Sequence, residues 1–162
     1  MRFVLIVLSD KAASGERADQ CVPAMEQGLP PGATIVAREI IPDDRAEIEA
    51  RLRDLCATGG VDCILTSGGT GLGVRDVTPQ ATLAVADYEV PGIADAMRAA
   101  SLAAVPTAML SRAVAAVRGK TLIVNLPGSP RGVRETLAVI AGVLPHAIDV
   151  LTSRIGEHPA ET

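Results

Sequence analysis

The residues best suited to chemistry are concentrated in one segment, Thr66-Ser67-Gly68-Gly69-Thr70-Gly71-Leu72-Gly73-Val74-Arg75-Asp76-Val77-Thr78-Pro79. Without Cβ atoms, Gly68, Gly69, Gly71 and Gly73 let the backbone turn sharply and present N–H groups to an anion. The lysine of a Walker A loop is missing, and the spacing is not that of a GxGxxG dinucleotide fingerprint. Asp76 adds a conflict, because an acid beside a phosphate cradle repels the ligand unless a cation intervenes. Magnesium removes that conflict, since it takes one or two carboxylates together with phosphate oxygens. The plainer alternative is a flexible connection between a strand and a helix.

A second pair of acids, Asp43-Asp44, precedes a helix. Asp44, with Glu47 three residues later, matches a capping box, which leaves Asp43 free to face a cleft. Acids also favour helix N-termini for electrostatic reasons, so this pair has a purely structural explanation as well. Arg75, Arg112, Lys120 and Arg131 are candidate phosphate contacts, and Ser9, Ser101 and Ser111 could hydrogen-bond a ligand phosphate. A serine nucleophile is disfavoured, because no histidine lies in any of these segments. His146, beside Pro145, reads as structural or exposed, and the surroundings of Met97 and Met109 read as core.

Alternating strands and helices must position these groups. Val4–Leu8 is a continuous apolar run, typical of a strand buried on both faces. A polar loop from Ser9 to Ala18 and a helix from about Asp19 to Gln27 follow. Thr34–Ile41 reads as a strand and Pro42 ends it. Ile48, Leu52, Leu55 and Cys56 recur at helical spacing. Cys63-Ile64-Leu65 is a third strand, and Thr78 looks like an N-cap with Pro79 at the first helical position. Helices are expected to about Ala86 and over Gly92–Ala104. Ala113–Val117 and Thr121–Asn125 flank Arg118-Gly119-Lys120 as a β-hairpin. Val133, Leu137, Ile140, Ala141 and Leu144 mark a last long helix, kinked or restarted at Pro145.

This order predicts an α/β fold, a three-layer sandwich in which a mostly parallel sheet is flanked by helices and carries a small β-hairpin. One domain is expected over residues 1–155, with a frayed tail over 156–162. Ligands of such folds sit beyond the carboxyl ends of the strands. That rule gathers Ser9-Asp10, Pro42-Asp43-Asp44, Ser67 to Asp76, and Asn125 to Ser129 into one cleft.

Composition narrows the function. A formal net charge of −4 argues against non-specific nucleic-acid binding, which needs a basic surface. Aromatic residues are 1% of the chain, too few for base-stacking platforms. Apolar residues make up 48% but occur in short blocks, so neither a membrane span nor a signal peptide is read. Cys21, Cys56 and Cys63 form no CxxC pair and suggest reduced thiols in a cytosolic protein. His146 and His158 lie far from them in sequence, which argues against zinc. A small-molecule site is the favoured class.

Thr66-Ser67-Gly68-Gly69-Thr70-Gly71 with Arg75-Asp76-Val77-Thr78-Pro79 closely resembles the signature of the molybdopterin adenylyltransferases, a family that includes the bacterial MogA-type proteins and the gephyrin G domain. The likeness continues through Pro91-Gly92, Met97-Arg98, Ser101-Leu102, Leu110-Ser111-Arg112, Arg118 to Ile123, and Asn125-Leu126-Pro127-Gly128. Ser9-Asp10 and Ile41 to Asp44 also fit, and Leu144 to Asp149 looks like the gephyrin G type.

The resemblance implies ATP- and Mg2+-dependent transfer of AMP to the terminal phosphate of molybdopterin, in molybdenum cofactor biosynthesis. It assigns catalytic and metal-linked roles to Asp43 and Asp76, and the nucleotide to Gly68, Gly69, Thr70 and Gly71. It assigns substrate contacts to Ser9, Ser101, Ser111, Arg112, Asn125, Pro127 and Gly128. It further implies a cytoplasmic homotrimer with a downstream molybdenum insertase as partner. Gln80 stands where many members carry an acid, and Leu72-Gly73-Val74 differs from many relatives. The alternatives are a non-catalytic molybdopterin-binding paralogue, a scaffolding protein and an unrelated nucleotide hydrolase. Retention of Asp43 together with Asp76 favours the enzyme.

Overall fold

The computed structural model describes residues 1–152. The tail expected over 156–162, the domain end at 155 and His158 lie outside the described residues. The first strand, β1 (Arg2–Leu8), is buried from Phe3 onward. Its alternate side chains feed two cores, as the period of two requires. Phe3, Leu5 and Val7 face one side, and Val4, Ile6 and Leu8 face the other.

Ser9 caps a short helix, α1 (Asp10–Ala13), with Oγ accepting from Ala12 N at 3.3 Å. The sequence suggested a plain loop here. Helix α2 (Cys21–Gly28) follows, with Asp19 accepting from Cys21 N and Val22 N at 2.8 and 2.9 Å. Strand β2 (Thr34–Ile41) has the bounds read from the sequence. Helix α3 (Arg45–Ala57) starts at the expected cap, where Asp44 Oδ1 accepts from Glu47 N at 3.0 Å.

Strand β3 (Cys63–Ser67) is buried throughout. Helix α4 (Thr78–Val85) follows Val77, and Thr78 does not cap it. The Thr78 hydroxyl instead donates to Gly68 O at 2.8 Å, tying the glycine loop to the helix. A two-residue edge strand, β4 (Tyr88–Glu89), and a 3-10 turn (Pro106–Leu110) were not expected, while α5 (Pro91–Leu102) is the helix read over Gly92–Ala104. Met109 in this turn is 65% exposed, so it is not core, whereas Met97 is buried.

Strands β5 (Ala115–Arg118) and β6 (Thr121–Leu126) form the expected hairpin around Gly119. They are not an appendage, because β6 also pairs in parallel with β3. The last stretch is two helices, α6 (Pro130–Ile140) and α7 (Leu144–Leu151); of the two alternatives the helix restarts, with Pro145 in the first turn of α7.

The six strands run in the order β2-β1-β3-β6-β5-β4. β2, β1, β3 and β6 are parallel, while β5 and β4 pair antiparallel. One face is covered by α2, α5, α6 and α7, the other by α3 and α4, which is the expected three-layer arrangement. Chain order reverses between β1 and β3, and a crevice opens at such a switch point. Among the described residues, no helix is long and apolar enough to cross a membrane.

Asn125 locks the layer below that crevice. Fully buried, its Nδ2 donates to Thr66 Oγ1 at 3.0 Å and Thr82 Oγ1 at 2.9 Å, joining β6 to β3 and α4. Substituting it with Ala strands two buried hydroxyls, each worth about 1–3 kcal/mol when unsatisfied. Asn125→Ala should therefore lower unfolding stability by about 2–4 kcal/mol, read as a reduced urea midpoint at constant slope.

Candidate functional site

The site is built on the turn that follows β3. Gly68 has φ +113°, and a Cβ there would stand 2.3 Å from the Leu8 carbonyl oxygen. Gly69 has φ +62°, with a virtual Cβ 2.3 Å from Thr78 Oγ1. Both positions therefore require glycine sterically as well as conformationally. The turn is fastened below by Ser67 Oγ donating to Pro127 O at 2.7 Å and by Gly68 N donating to Leu126 O at 3.2 Å. Gly128 packs so closely that its own Cβ would lie 3.2 Å from Gly68 Cα. The loops after β3 and β6 thus form one unit.

Both acids singled out from the sequence stand against this unit. Asp43 Oδ1 is 3.3 Å from the Cβ position of Gly69. Asp76 Oδ2 accepts from Gly73 N at 2.7 Å and lies 2.9 Å from the Cβ position of Gly71. Burial raises the Asp43 carboxyl above the ordinary aspartate range, with the negative charges of Asp10 and Asp76 acting the same way. The Asp10 N–H and Arg75 oppose that rise. Asp43 and Asp76 are therefore electrostatic neighbours as well as neighbours of one loop.

Asp10 belongs to the same cluster, which the sequence marked only as part of a polar strand end. Its N–H donates to Asp43 Oδ2 at 3.1 Å, and Asp43 N donates to Asp10 Oδ1 at 3.0 Å. Arg75 forks onto Asp10, and this contact holds the Asp10 carboxyl below its ordinary range. Arg112 acts on backbone: Nε donates to Gly71 O at 2.6 Å, Nη2 to Asp76 O, and its own N–H to Thr70 O at 2.9 Å. Of the four candidate phosphate contacts, two therefore hold the loop. Lys120 is elsewhere, beside Arg2 and Asp62 at the opposite end of the sheet.

Thr70 and Gly71 also wall a cavity of about 320 Å³. That is within the usual range for a small-molecule site. Met97, Ser101, Ser111 and Pro127 line it, so several of the predicted substrate contacts converge here. Arg131 reaches its wall while paired with Glu135 at 2.7 Å. Gly128 packs on Gly68 and does not itself line the cavity. Ser9 sits at the end of β1, accepting from Arg17 Nη2 at 3.3 Å, and Asn125 is buried beneath. Neither borders the cavity.

Ser129, the end of the segment expected at the cleft, also lines the cavity, and sequence reasoning gave no contact role to Arg98 and Thr136, which line it too. Thr136 interrupts the apolar stripe of α6, a signal that was there to be used. Arg98 donates to Ala113 O at 2.8 Å, so its location depends on a distant loop and no local pattern reveals it.

The chain matches a family described as "Probable molybdopterin binding domain" over residues 4–146. It is 46% identical over 140 residues to the molybdopterin adenylyltransferase of Escherichia coli (strain K12), covering 85% of this chain and 72% of that protein. The molybdopterin adenylyltransferase of Haemophilus influenzae is 45% identical over 141 residues, covering 85% and 71%. Among solved structures, the molybdopterin biosynthesis enzyme MoaB of Thermus thermophilus superposes with a TM-score of 0.88 at 47% identity, covering 94% of this chain and 96% of that one. The family match runs from β1 into α7 and so takes in every loop at the carboxyl edge of the sheet. The chain belongs to the molybdopterin-binding family whose members include the curated molybdopterin adenylyltransferases.

Proposed function

We infer that the chain is a molybdopterin adenylyltransferase that transfers AMP from ATP to the terminal phosphate of molybdopterin. One observation carries this reading: Thr70 and Gly71 wall the cavity, while Asp43 and Asp76 stand against Gly69, Gly71 and Gly73 of the same loop. A nucleotide on Gly68 to Gly71 would thus adjoin both the cavity and the two carboxylates. In the reaction, an oxygen of the molybdopterin phosphate bonds to the α-phosphorus of ATP. The bond from that phosphorus to the bridging oxygen breaks, and pyrophosphate leaves.

Chemistry of this type needs positioning and charge neutralisation more than covalent help. Gly68, Gly69, Thr70 and Gly71 would hold the nucleotide phosphates through backbone N–H groups. Ser101 and Ser111 would orient the molybdopterin phosphate at the cavity mouth, with Pro127 and Met97 against the ring system. Arg112 and Gly128 would shape the loop, Asn125 would support it from below, and Ser9 would set the end of β1.

Magnesium fits the acid pair, because both side chains offer oxygens and a cation would offset the burial and the neighbouring negative charges that raise Asp43. Among the described residues, no three acids, histidines or cysteines group to hold a metal alone. Nucleotide oxygens and water would therefore complete a shell begun by Asp43 and Asp76. When bound, the ion would neutralise phosphate charge as pyrophosphate departs. By family resemblance the active assembly is a cytoplasmic homotrimer that passes its product to a molybdenum insertase.

Asp43→Asn and Asp76→Asn should each lower molybdopterin-dependent pyrophosphate release by about 10²-fold or more, near 3 kcal/mol, with unchanged circular dichroism. Near-normal turnover in both variants would eliminate these roles. A protein that binds molybdopterin without consuming ATP would be the non-catalytic paralogue instead. Sedimentation should give three times the chain mass of 16.7 kDa.

The raised Asp43 carboxyl also sets a sign. It holds its proton more tightly folded than unfolded, so its ionised form opposes folding above the folded pKa, and that penalty vanishes as pH falls through it. Asp43→Asn should therefore raise the thermal midpoint at neutral pH, with the gain shrinking as pH approaches the ordinary aspartate value of 3.8. A midpoint that falls at neutral pH would contradict this.

A further inference from the structure

Asp10 has no role in the reaction as described, yet the loops after β1, β2 and β3 meet on its side chain. It exchanges two hydrogen bonds with Asp43, through its own N–H and through Oδ1. Its two carboxylate oxygens also receive Arg75 Nη2 at 2.8 Å and Nε at 3.0 Å. Arg75 directly precedes Asp76 in the chain. A short path therefore links the two proposed cation ligands: Asp43 to Asp10, Asp10 to Arg75, and Arg75 along the backbone to Asp76.

Two properties separate this path from ordinary scaffolding. The Arg75 and Asp10 side chains are 61% and 46% exposed, and exposed ion pairs contribute little to stability. The Arg75 contact is a two-point fork, which fixes direction as well as distance. Directional restraint with little effect on stability suits a part whose function is alignment. Two carboxylates that repel one another will otherwise separate, and only an external restraint holds them at the spacing a shared ion needs.

We propose that Asp10, braced by Arg75, is a positioning residue that holds the Asp43 carboxylate where it and Asp76 together receive a nucleotide-bound divalent cation. This rests on the adenylyl-transfer reading of the site. Alignment and simple electrostatics make opposite demands on Arg75. If only charge mattered, losing Asp10 would weaken cation binding and losing Arg75 would strengthen it. The same opposition holds if Asp10 is itself a ligand, because removing Arg75 would free its oxygens. Under the bracing role, both losses weaken binding.

The test is calorimetric titration of ATP into the full chain, with Mg2+ and with EDTA, taking the ratio of the two Kd values. Asp10→Ala and Arg75→Gln should each reduce the magnesium-dependent gain by about 10-fold. The double variant should lose no more than the worse single one, because both changes break one path. Arg75→Lys keeps the charge without the fork and should fall between Arg75→Gln and the parent protein. Circular dichroism should be unchanged throughout. A larger magnesium gain in Arg75→Gln, parent-like binding in Arg75→Lys, or no change in either single variant would overturn the proposal. A parent protein that binds no ATP with magnesium would instead remove the adenylyl-transfer reading on which it rests.

Discussion

Gly68 leaves β3 with φ +113° and passes so close to β1 that a Cβ would stand 2.3 Å from the Leu8 carbonyl oxygen. The rest of the site depends on that approach. It allows the turn to fold back over the crevice between β1 and β3 rather than away from it. Thr78 and Ser67 then fasten the turn from α4 and from the loop after β6. Once Gly68 and Gly69 are seated, Gly69 adjoins Asp43 and Gly71 adjoins Asp76. The chain reaches this arrangement without a disulfide, as its three cysteines are unbridged. Restraint comes from sheet topology and a few short hydrogen bonds.

The electrostatics of the region run against its proposed ligands. Asp10, Asp43 and Asp76 surround a loop read as holding phosphates. Arg75 is committed to Asp10 and Arg112 to loop carbonyls, so these two cations stabilise the architecture first. Burial, and to a lesser degree the charges of Asp10 and Asp76, raises the Asp43 carboxyl. On the proposed reading this is storage of a useful kind: acids held together against repulsion bind a cation more readily than acids that must first be assembled. Arginine suits both holding tasks, because a planar fork can grip two acceptors where a lysine offers a single point charge.

Much of this was legible in the chain itself, for reasons that differ by element. β2 and the Asp44 cap announce themselves through local rules, since alternation and a side chain reaching three residues ahead need no tertiary information. The switch-point rule likewise gathers four distant polar segments at one edge of the sheet. The arginines were less readable. Arg75 and Arg112 look from sequence like loop cations awaiting an anion, but their partners are a carboxylate 65 residues away and carbonyls as far as 41 residues away. Asp10 reads from the sequence only as part of a polar strand end, because its importance lies in what it joins. Met109 and Met97 share a residue type, and only the path of the 3-10 turn decides that one is exposed while the other is buried.

On the proposed reading the cavity takes a heterocycle, and the scarcity of aromatic residues bears on how it would do so. Phe3 is in the core, and Tyr88 lies exposed on the edge strand. The walls are instead Met97, Pro127 and small aliphatic groups, with Ser101, Ser111 and Arg98 at polar positions. A thioether and a proline ring give dispersion contact without the strong face preference of an aromatic stack. Such walls would impose little face preference on a planar ligand. Discrimination on the proposed reading then falls to the hydroxyls and to the loop that Arg112 fixes, where an unpaired polar group carries a larger penalty than an imperfect apolar fit. Position along the cavity, rather than affinity for the ring, would decide which phosphate meets the nucleotide across Thr70 and Gly71.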